Sequence, residues 1–470
     1  MTILFMKKKY QLERFFVTWL MILFMILTDA FTAFAQVKQA TFLVNGISCD
    51  LEQGILKVEF VTPDVVRVQY TGENTFIGNG TDVCLPRAVD NPVRWVYTPN
   101  PDCYLLKSDS LIVRVDLSTA SITYLDKEGG LLLQEDQNIP RISEKRVTKQ
   151  VIYDEHSKHI EKTADGDKEI KNVLRYDTIG HTWKYRINFK WQPLEALYGW
   201  GAHMEDYMNL RGKELYLCQH NLKAMVPVLN STAGYGLLFD AGCAMMFKDN
   251  SEGSFVELEA AKQIDYYFMK GKTMDAVVAN YRLLTGNSPM MPLYLFGYIQ
   301  SKERYVSSDD LINTLKEYRQ RQIPIDMIVQ DWNYWPEGQW GNMSMNPKFY
   351  PDKRKLADEI HSLHAKLMVS IWPNAMNCPQ HEEFKRKGWL LSGTSVYDAF
   401  NPLARKLYWN YANNEFFGNG FDAWWCDASE PLDADWTFMK DGYGADNHRQ
   451  RWELNTNLLN SVLGAERSQL

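Results

Sequence analysis

The sequence predicts a multidomain chain of mixed class, an amino-terminal antiparallel β-sandwich followed by the first half of a (β/α)8 barrel. Three observations carry this. From about residue 40 to 265 the chain is a series of short β-branched, partly alternating runs divided by turn residues, the pattern of antiparallel strands. After Ile264 it alternates between apolar strand-like runs and helical segments, which implies parallel βαβ units. Each apolar run of that second part ends in polar or aromatic residues, namely Gln300, Asp331, Trp372-Pro373-Asn374 and Asp427. Groups at matching strand ends converge on one face of a parallel barrel. The divisions that follow are 1–35 for a signal peptide, 36–270 for the sandwich and 271–470 for the partial barrel.

In the sandwich, strands are expected at 55–61 and 65–70 on either side of Pro63-Asp64, and at 111–115 and 121–125, closed by Gly129-Gly130. Residues 136–182 form a charged insert with a turn at Asp165-Gly166 and no chemical motif. In the second part a helix over 273–284 is stopped by Thr285-Gly286-Asn287-Ser288-Pro289. A strand is expected at 293–299, then a helix whose start is capped by Ser307-x-x-Asp310. The strand at 325–329 runs into Gln330-Asp331-Trp332. A helix with the apolar stripe Leu356, Ile360, Leu363, Leu367 leads to a strand at 367–372, a helix at 403–417 and a last strand at 421–426.

With 470 residues, 45% of them hydrophobic, the chain can bury the cores of two or more domains. A net charge of -7, with no basic run beyond the amino terminus, leaves no footprint for nucleic acid. Aromatic residues make up 13% of the chain and include 15 Trp. Such a surplus fills a large core, and it also suits sugar rings, which stack their C–H faces on aromatic side chains. Repeats, heptads and low-complexity tracts are absent, so a structural or scaffolding role has no support.

Lys7-Lys8-Lys9, an apolar run over 15–27 and the small-residue site Ala33-Phe34-Ala35 have the form of a secretory signal, with the mature chain beginning at Gln36. The run is short for a membrane span and Asp29 interrupts its tail. A stable membrane anchor is therefore not expected, and the chain reads as secreted, to a bacterial periplasm. The seven Cys are scattered and odd in number; Cys49, Cys84 and Cys103 are the candidates for a pair, and Cys426 is expected to pack as a small hydrophobe. His361 and His364 share a helix face, yet that face is an apolar stripe, so they read as surface or partly buried rather than metal-binding. Neither metal nor cofactor is expected.

The most informative stretch is Phe421-Asp422-Ala423-Trp424-Trp425-Cys426-Asp427-Ala428-Ser429-Glu430-Pro431, a short apolar strand running straight into a carboxylate. A carboxylate there is costly unless it is used, and strand ends are where barrel enzymes place their chemistry. Asp-x-x-Glu also matches a helix-capping box. Pro431 opposes that alternative, because the residue before a proline is driven out of helical geometry.

At Trp425-Cys426-Asp427-Ala428-Ser429-Glu430-Pro431 the chain resembles glycoside hydrolase family 31, the retaining α-glucosidase and α-xylosidase family. Tyr198-Gly199-Trp200-Gly201, Tyr207-Met208-Asn209-Leu210-Arg211-Gly212-Lys213 and Tyr235-Gly236-Leu237-Leu238-Phe239-Asp240 look like its amino-terminal sandwich. Asp265-Tyr266-Tyr267-Phe268 and Tyr281-Arg282-x-x-Thr285-Gly286 look like its entry into the barrel. The resemblance covers roughly residues 50 to 460 and implies an exo-acting hydrolase of oligosaccharides that keeps anomeric configuration through a covalent glycosyl-enzyme. It makes Asp427 the nucleophile and gives Asp331 the task of holding sugar hydroxyls. Glu430 would position its loop, and Trp332, Trp340, Trp372 and Trp425 would wall the sugar site; taken singly, each is as well read as core packing.

The stretch Val329-Gln330-Asp331-Trp332-x-Tyr334-Trp335-Pro336 with Trp340-Gly341 is more similar to the α-xylosidase branch. A bulky wall after Asp331 would exclude the hydroxymethyl group that separates glucose from xylose. α-Glucosidase, α-glucosyl transfer and a non-catalytic carbohydrate-binding fragment are the alternatives. In the family the acid/base aspartate comes well after the nucleophile, whereas here 43 residues follow Asp427 and contain no matching segment. Asp433, Asp435, Asp441 and Asp446 are too near in sequence and read as loop charges. The chain is thus expected to be truncated within the barrel, with no acid/base residue of its own.

Overall fold

A computed structural model describes residues 36–76, 83–85, 92–163, 166–203, 205, 208–217, 224–391, 395–399 and 401–428. They fall into two compact units, one of residues 36–147 and 180–287 and the other of residues 148–179 and 288–428. The expected signal peptide, Tyr207, Asp165, Glu430 and the aspartates after it lie outside the described residues.

The first unit is an antiparallel sandwich. One sheet has eight strands and includes Ile55–Thr62, Val65–Thr71, Tyr235–Phe239 and Ile264–Lys270; the other has ten and includes Leu111–Asp116, Ile122–Asp126 and Gly253–Ala261. Alternation along the strands builds the core: Leu111, Val113 and Val115 are buried in one strand while Ile112 and Arg114 are not. The two inner faces meet where Tyr124 stacks on Phe268 with ring centroids 3.9 Å apart. Each such ring contributes about 1.5–3 kcal/mol by burial, and Phe268→Ala would cost about 3–5 kcal/mol. The buried Asp265 carboxylate is paired, taking Arg67 Nε at 2.9 Å, Arg67 Nη2 at 2.6 Å and Gln69 Nε2 at 2.8 Å. The helix Met274–Thr285, capped by Thr273, packs Val277 and Leu284 against Val61, Val65 and Leu238.

Several readings change here. The charged insert is mostly strand, with Arg141–Tyr153 and Val173–Lys190 enclosing a hairpin of His159–Thr163 and Gly166–Ile170. Thr163 pairs with Gly166, so Gly166 belongs to a strand rather than to the turn. Cys49, Cys84 and Cys103 are buried, each in a different strand or loop, and no disulfide joins any two of them.

The second unit contains a parallel sheet. Its elements in order are β1 (Ile299–Gln300), α1 (Ser308–Gln320), β2 (Met327–Gln330), α2 (Lys353–Ser362), β3 (Lys366–Ile371), α3 (Pro379–Lys387), α4 (Pro402–Glu415) and β4 (Ala423–Cys426). The strands pair β1-β2-β3-β4, all parallel, as in the opening half of a (β/α)8 barrel. Helix starts follow their caps: Ser307 Oγ accepts from Asp310 N, and Asp352 accepts from Lys355 N. Leu311 and Leu315 of α1 and Leu356 and Ile360 of α2 share one core with Ile328, Leu367, Val369 and Ile371. The other sheet face holds Met327, Val329 and Met368, packed with Ile299 and Ala423.

The expected strand at 293–299 is a 3₁₀ turn over Leu293–Phe296 followed by the two-residue β1. Asp326 explains the shortening. Its carboxylate accepts from Tyr298 N at 3.1 Å in place of a ladder partner, and it sits where a Cβ on Gly297 would be, 1.9 Å away. Helix α3 has no counterpart in the sequence pattern, because it buries only Gln380 and Phe384 and carries no apolar stripe. The histidine pair separates as well: α2 ends at Ser362, His364 turns away at φ 57°, and His361 Nε2 meets Asp422 Oδ2 at 2.7 Å.

Candidate active site

Strand register sets the site. Val329 pairs with Met368 and Met368 with Ala423 on the inner face, so the next inner layer up is Asp331, Ser370 and Trp425, and the one above holds Trp372 and Asp427. Asp331 and Asp427 therefore follow β2 and β4 directly, on either side of β3. Asp427 is anchored by its own backbone, with N–H donated to Ile371 O at 3.1 Å. Each carboxylate folds back on the next residue, Asp331 Oδ1 accepting from Trp332 N and Asp427 Oδ1 from Ala428 N, both at 2.8 Å. The chain then turns through left-handed backbone, at Asn333 (φ 59°) and Ala428 (φ 49°). Such conformations cost free energy in non-glycine residues and cluster at functional sites.

Burial raises the Asp331 carboxyl above its usual range; the Trp332 N–H opposes this, the nearby Asp427 and Glu303 carboxylates raise it further, and the Ser370 hydroxyl opposes them. Two carboxyls placed to feel each other in this way are the raw material of acid–base and nucleophilic chemistry.

Trp332, Trp340 and Trp372 come together against the core of the second unit, and Trp335 joins them. All six ring pairs of this quartet have centroids between 5.4 and 6.4 Å apart. The quartet is held by the loops that follow β2 and β3. Trp340 O accepts from Met376 N at 2.9 Å, and Gly341 (φ 63°) leaves no room for a Cβ, which would lie 1.9 Å from Asn374 O. Tyr334 OH donates to Ser370 O at 2.9 Å and Tyr408 OH to Trp372 O at 3.2 Å. The Arg304 guanidinium rests 5.6 Å from the Trp332 ring centroid.

Trp425 stands apart. It is on the inner face but 50% exposed, and it forms no ring pair among the described residues. Cys426, expected to pack as a small hydrophobe, is exposed among the described residues. Glu430 lies outside the described residues. Trp335, Ser370, Glu303 and Arg304 were not singled out from sequence. Trp335 stands in the aromatic run after Asp331, whereas Ser370 sits inside an apolar strand with no motif around it. No group of three or more His, Cys, Asp or Glu that could hold a metal occurs among the described residues, and none of their helices is long and apolar enough to cross a membrane.

Known proteins share both parts of this fold. Residues 288–464 match the glycosyl hydrolases family 31 TIM-barrel domain, and residues 55–247 match the glycosyl hydrolase 31 N-terminal galactose mutarotase-like domain. An α-xylosidase from Saccharolobus solfataricus is 29% identical over 386 residues, 80% of this chain and 48% of the relative. A protein described as an uncharacterized family 31 glucosidase from Pseudescherichia vulneris is 30% identical over 270 residues, 54% of this chain and 50% of the relative. The crystal structure of an α-xylosidase from a soil metagenome, complexed with xylose, has the same fold, with a TM-score of 0.69 at 24% identity, covering 84% of this chain and 58% of that one. The chain spans about half the length of the curated relatives it matches. With its two successive domains matching that family's sandwich and barrel, the chain belongs to glycoside hydrolase family 31.

Proposed function

We propose that this chain carries the nucleophile half of a retaining α-glycosidase acting on xylose-bearing oligosaccharides, exported to the periplasm, with Asp427 as nucleophile. The observation that carries the reading is the placement of Asp427 and Asp331 at the ends of β4 and β2, electrostatically coupled across β3. An Asp427 carboxylate oxygen attacks the anomeric carbon as the bond to the leaving oxygen breaks, and that oxygen takes a proton from a carboxylic acid. Water, giving its proton to the same acid/base group, then attacks the anomeric carbon and frees Asp427. The acid/base group is assigned to none of the described residues. Asp331, its charge uncommitted apart from the Trp332 and Ser370 contacts, accepts from sugar hydroxyls. Support for xylose comes from the bulk of the tryptophan quartet beside Asp331 and from the α-xylosidase relative.

α-Glucoside hydrolysis or glucosyl transfer is the second reading, favoured by the glucosidase relative. The two are separated by assaying nitrophenyl α-xyloside and α-glucoside side by side on the full-length protein. The xylose reading predicts a clear preference for the xyloside, and equal or inverted preference would remove it.

A further inference from the structure

Ser370 is fully buried at the centre of the site. It lies on β3, one residue beyond the last Gln330–Val369 pair on one side and opposite Trp425 on the other, so it stands between the strand that presents Asp331 and the strand that presents Asp427. Its Oγ accepts the Trp372 indole N–H at 3.1 Å. Its own O–H remains to donate, and the register sets Asp331 beside it, one residue past the Gln330–Val369 pair on the same face, where the hydroxyl favours the charged carboxylate. Its backbone is fixed too, with Ser370 O taking the Tyr334 hydroxyl.

We infer that Ser370 is a positioning residue that couples the aromatic wall to the polar floor of the site, orienting the Trp372 ring and the Asp331 carboxylate through one hydroxyl. A single hydroxyl that accepts from one group and donates to another fixes both at once, because neither bond can be kept if the other partner rotates. Trp372 touches the three other tryptophans of the quartet, so the tie fixes the quartet's register against Asp331. The inference rests on the glycosidase reading for its catalytic consequence, but the Ser370–Trp372 tie does not depend on it.

The test is Ser370→Ala, alone and combined with Asp331→Asn, in the 470-residue chain. The rate of covalent labelling by 5-fluoro-α-xylosyl fluoride is followed against pH, and near-ultraviolet circular dichroism reports the tryptophan quartet. Ser370→Ala should slow labelling by about 10- to 150-fold, the range for losing a hydrogen bond to a charged group. It should also move the acid limb to higher pH, since the charged form of Asp331 loses a donor. Added to Asp331→Asn, it should slow labelling by clearly less than it does in the unaltered chain, because part of its effect runs through that carboxylate. The near-ultraviolet band should change while the far-ultraviolet spectrum does not. Wild-type labelling, acid limb and near-ultraviolet band in Ser370→Ala would overturn the inference, and so would full additivity with Asp331→Asn. If the unaltered chain takes no label, the glycosidase reading fails instead. The near-ultraviolet band then decides the Ser370–Trp372 tie: a change supports it and no change overturns it.

Discussion

Asp331 and Asp427 make the same local bond, each carboxylate accepting from the backbone N–H of the residue that follows it, at 2.8 Å in both cases. Because β3 lies between the strands that deliver them, the two side chains are held by a shared framework rather than by direct contact. The burial of Asp331 and its coupling to Asp427 give the first expected outcome.

Asp331→Asn should trade function for stability. The folded chain holds the Asp331 proton more tightly than the unfolded chain does, chiefly through burial. Stability therefore falls as pH rises from about 3.9, the unfolded aspartate value, through the raised folded value. Asn removes that penalty, so Tm at pH 7 should rise above wild type and the difference should vanish in acid. Turnover of an aryl α-xyloside by the full-length protein should fall by about 10- to 150-fold. Scanning calorimetry across pH with parallel kinetics checks both; a lowered Tm at pH 7 would contradict the electrostatic account.

Trp335 and Trp425 should behave as opposites. Trp335 is 5% exposed and packed against three tryptophans, so Trp335→Ala should cost about 3–5 kcal/mol. Trp425 is half exposed and its replacement by Ala should cost less than about 1 kcal/mol. Urea unfolding of the two variants measures the difference.

Asp422 secures the other end of the same strands. It takes Leu367 N and Lys366 Nζ at 2.9 Å and His361 Nε2 at 2.7 Å. Burial alone would raise its carboxyl, but these three partners hold it below the usual range. Its contribution is complete above the unfolded aspartate value of about 3.9 and is lost as pH falls through the lower folded value. Asp422→Ala should cost about 1–3 kcal/mol at pH 7, by leaving the Leu367 N–H, the Lys366 ammonium and the His361 ring without their acceptor. It should cost progressively less on acidification. Denaturation curves at pH 7 and pH 3 check this.

Much of the fold was legible because local chemistry and tertiary demand agree in these segments. Ser307 caps its helix, Pro63-Asp64 separates two paired strands, and the apolar runs after Ile264 form a parallel sheet in chain order. What escaped the sequence depended on partners distant along the chain. The strand at 293–299 was lost to the Asp326 carboxylate, and α3 is stabilised by a proline at its start and a left-handed Gly388 at its end rather than by an apolar face. In the site, the strand-end aspartates were readable from their position after apolar runs. Ser370 was not, since a serine inside an apolar strand acquires meaning only when the register sets it between Asp331 and Trp425.

The most direct measurement is mass spectrometry of the peptide labelled by 5-fluoro-α-xylosyl fluoride, a substrate whose good leaving group needs little help from an acid. A folded sample should carry one sugar, esterified to Asp427, and Asp427→Asn should carry none. A label on Asp331 or any other residue, or undiminished labelling of Asp427→Asn, would contradict the account.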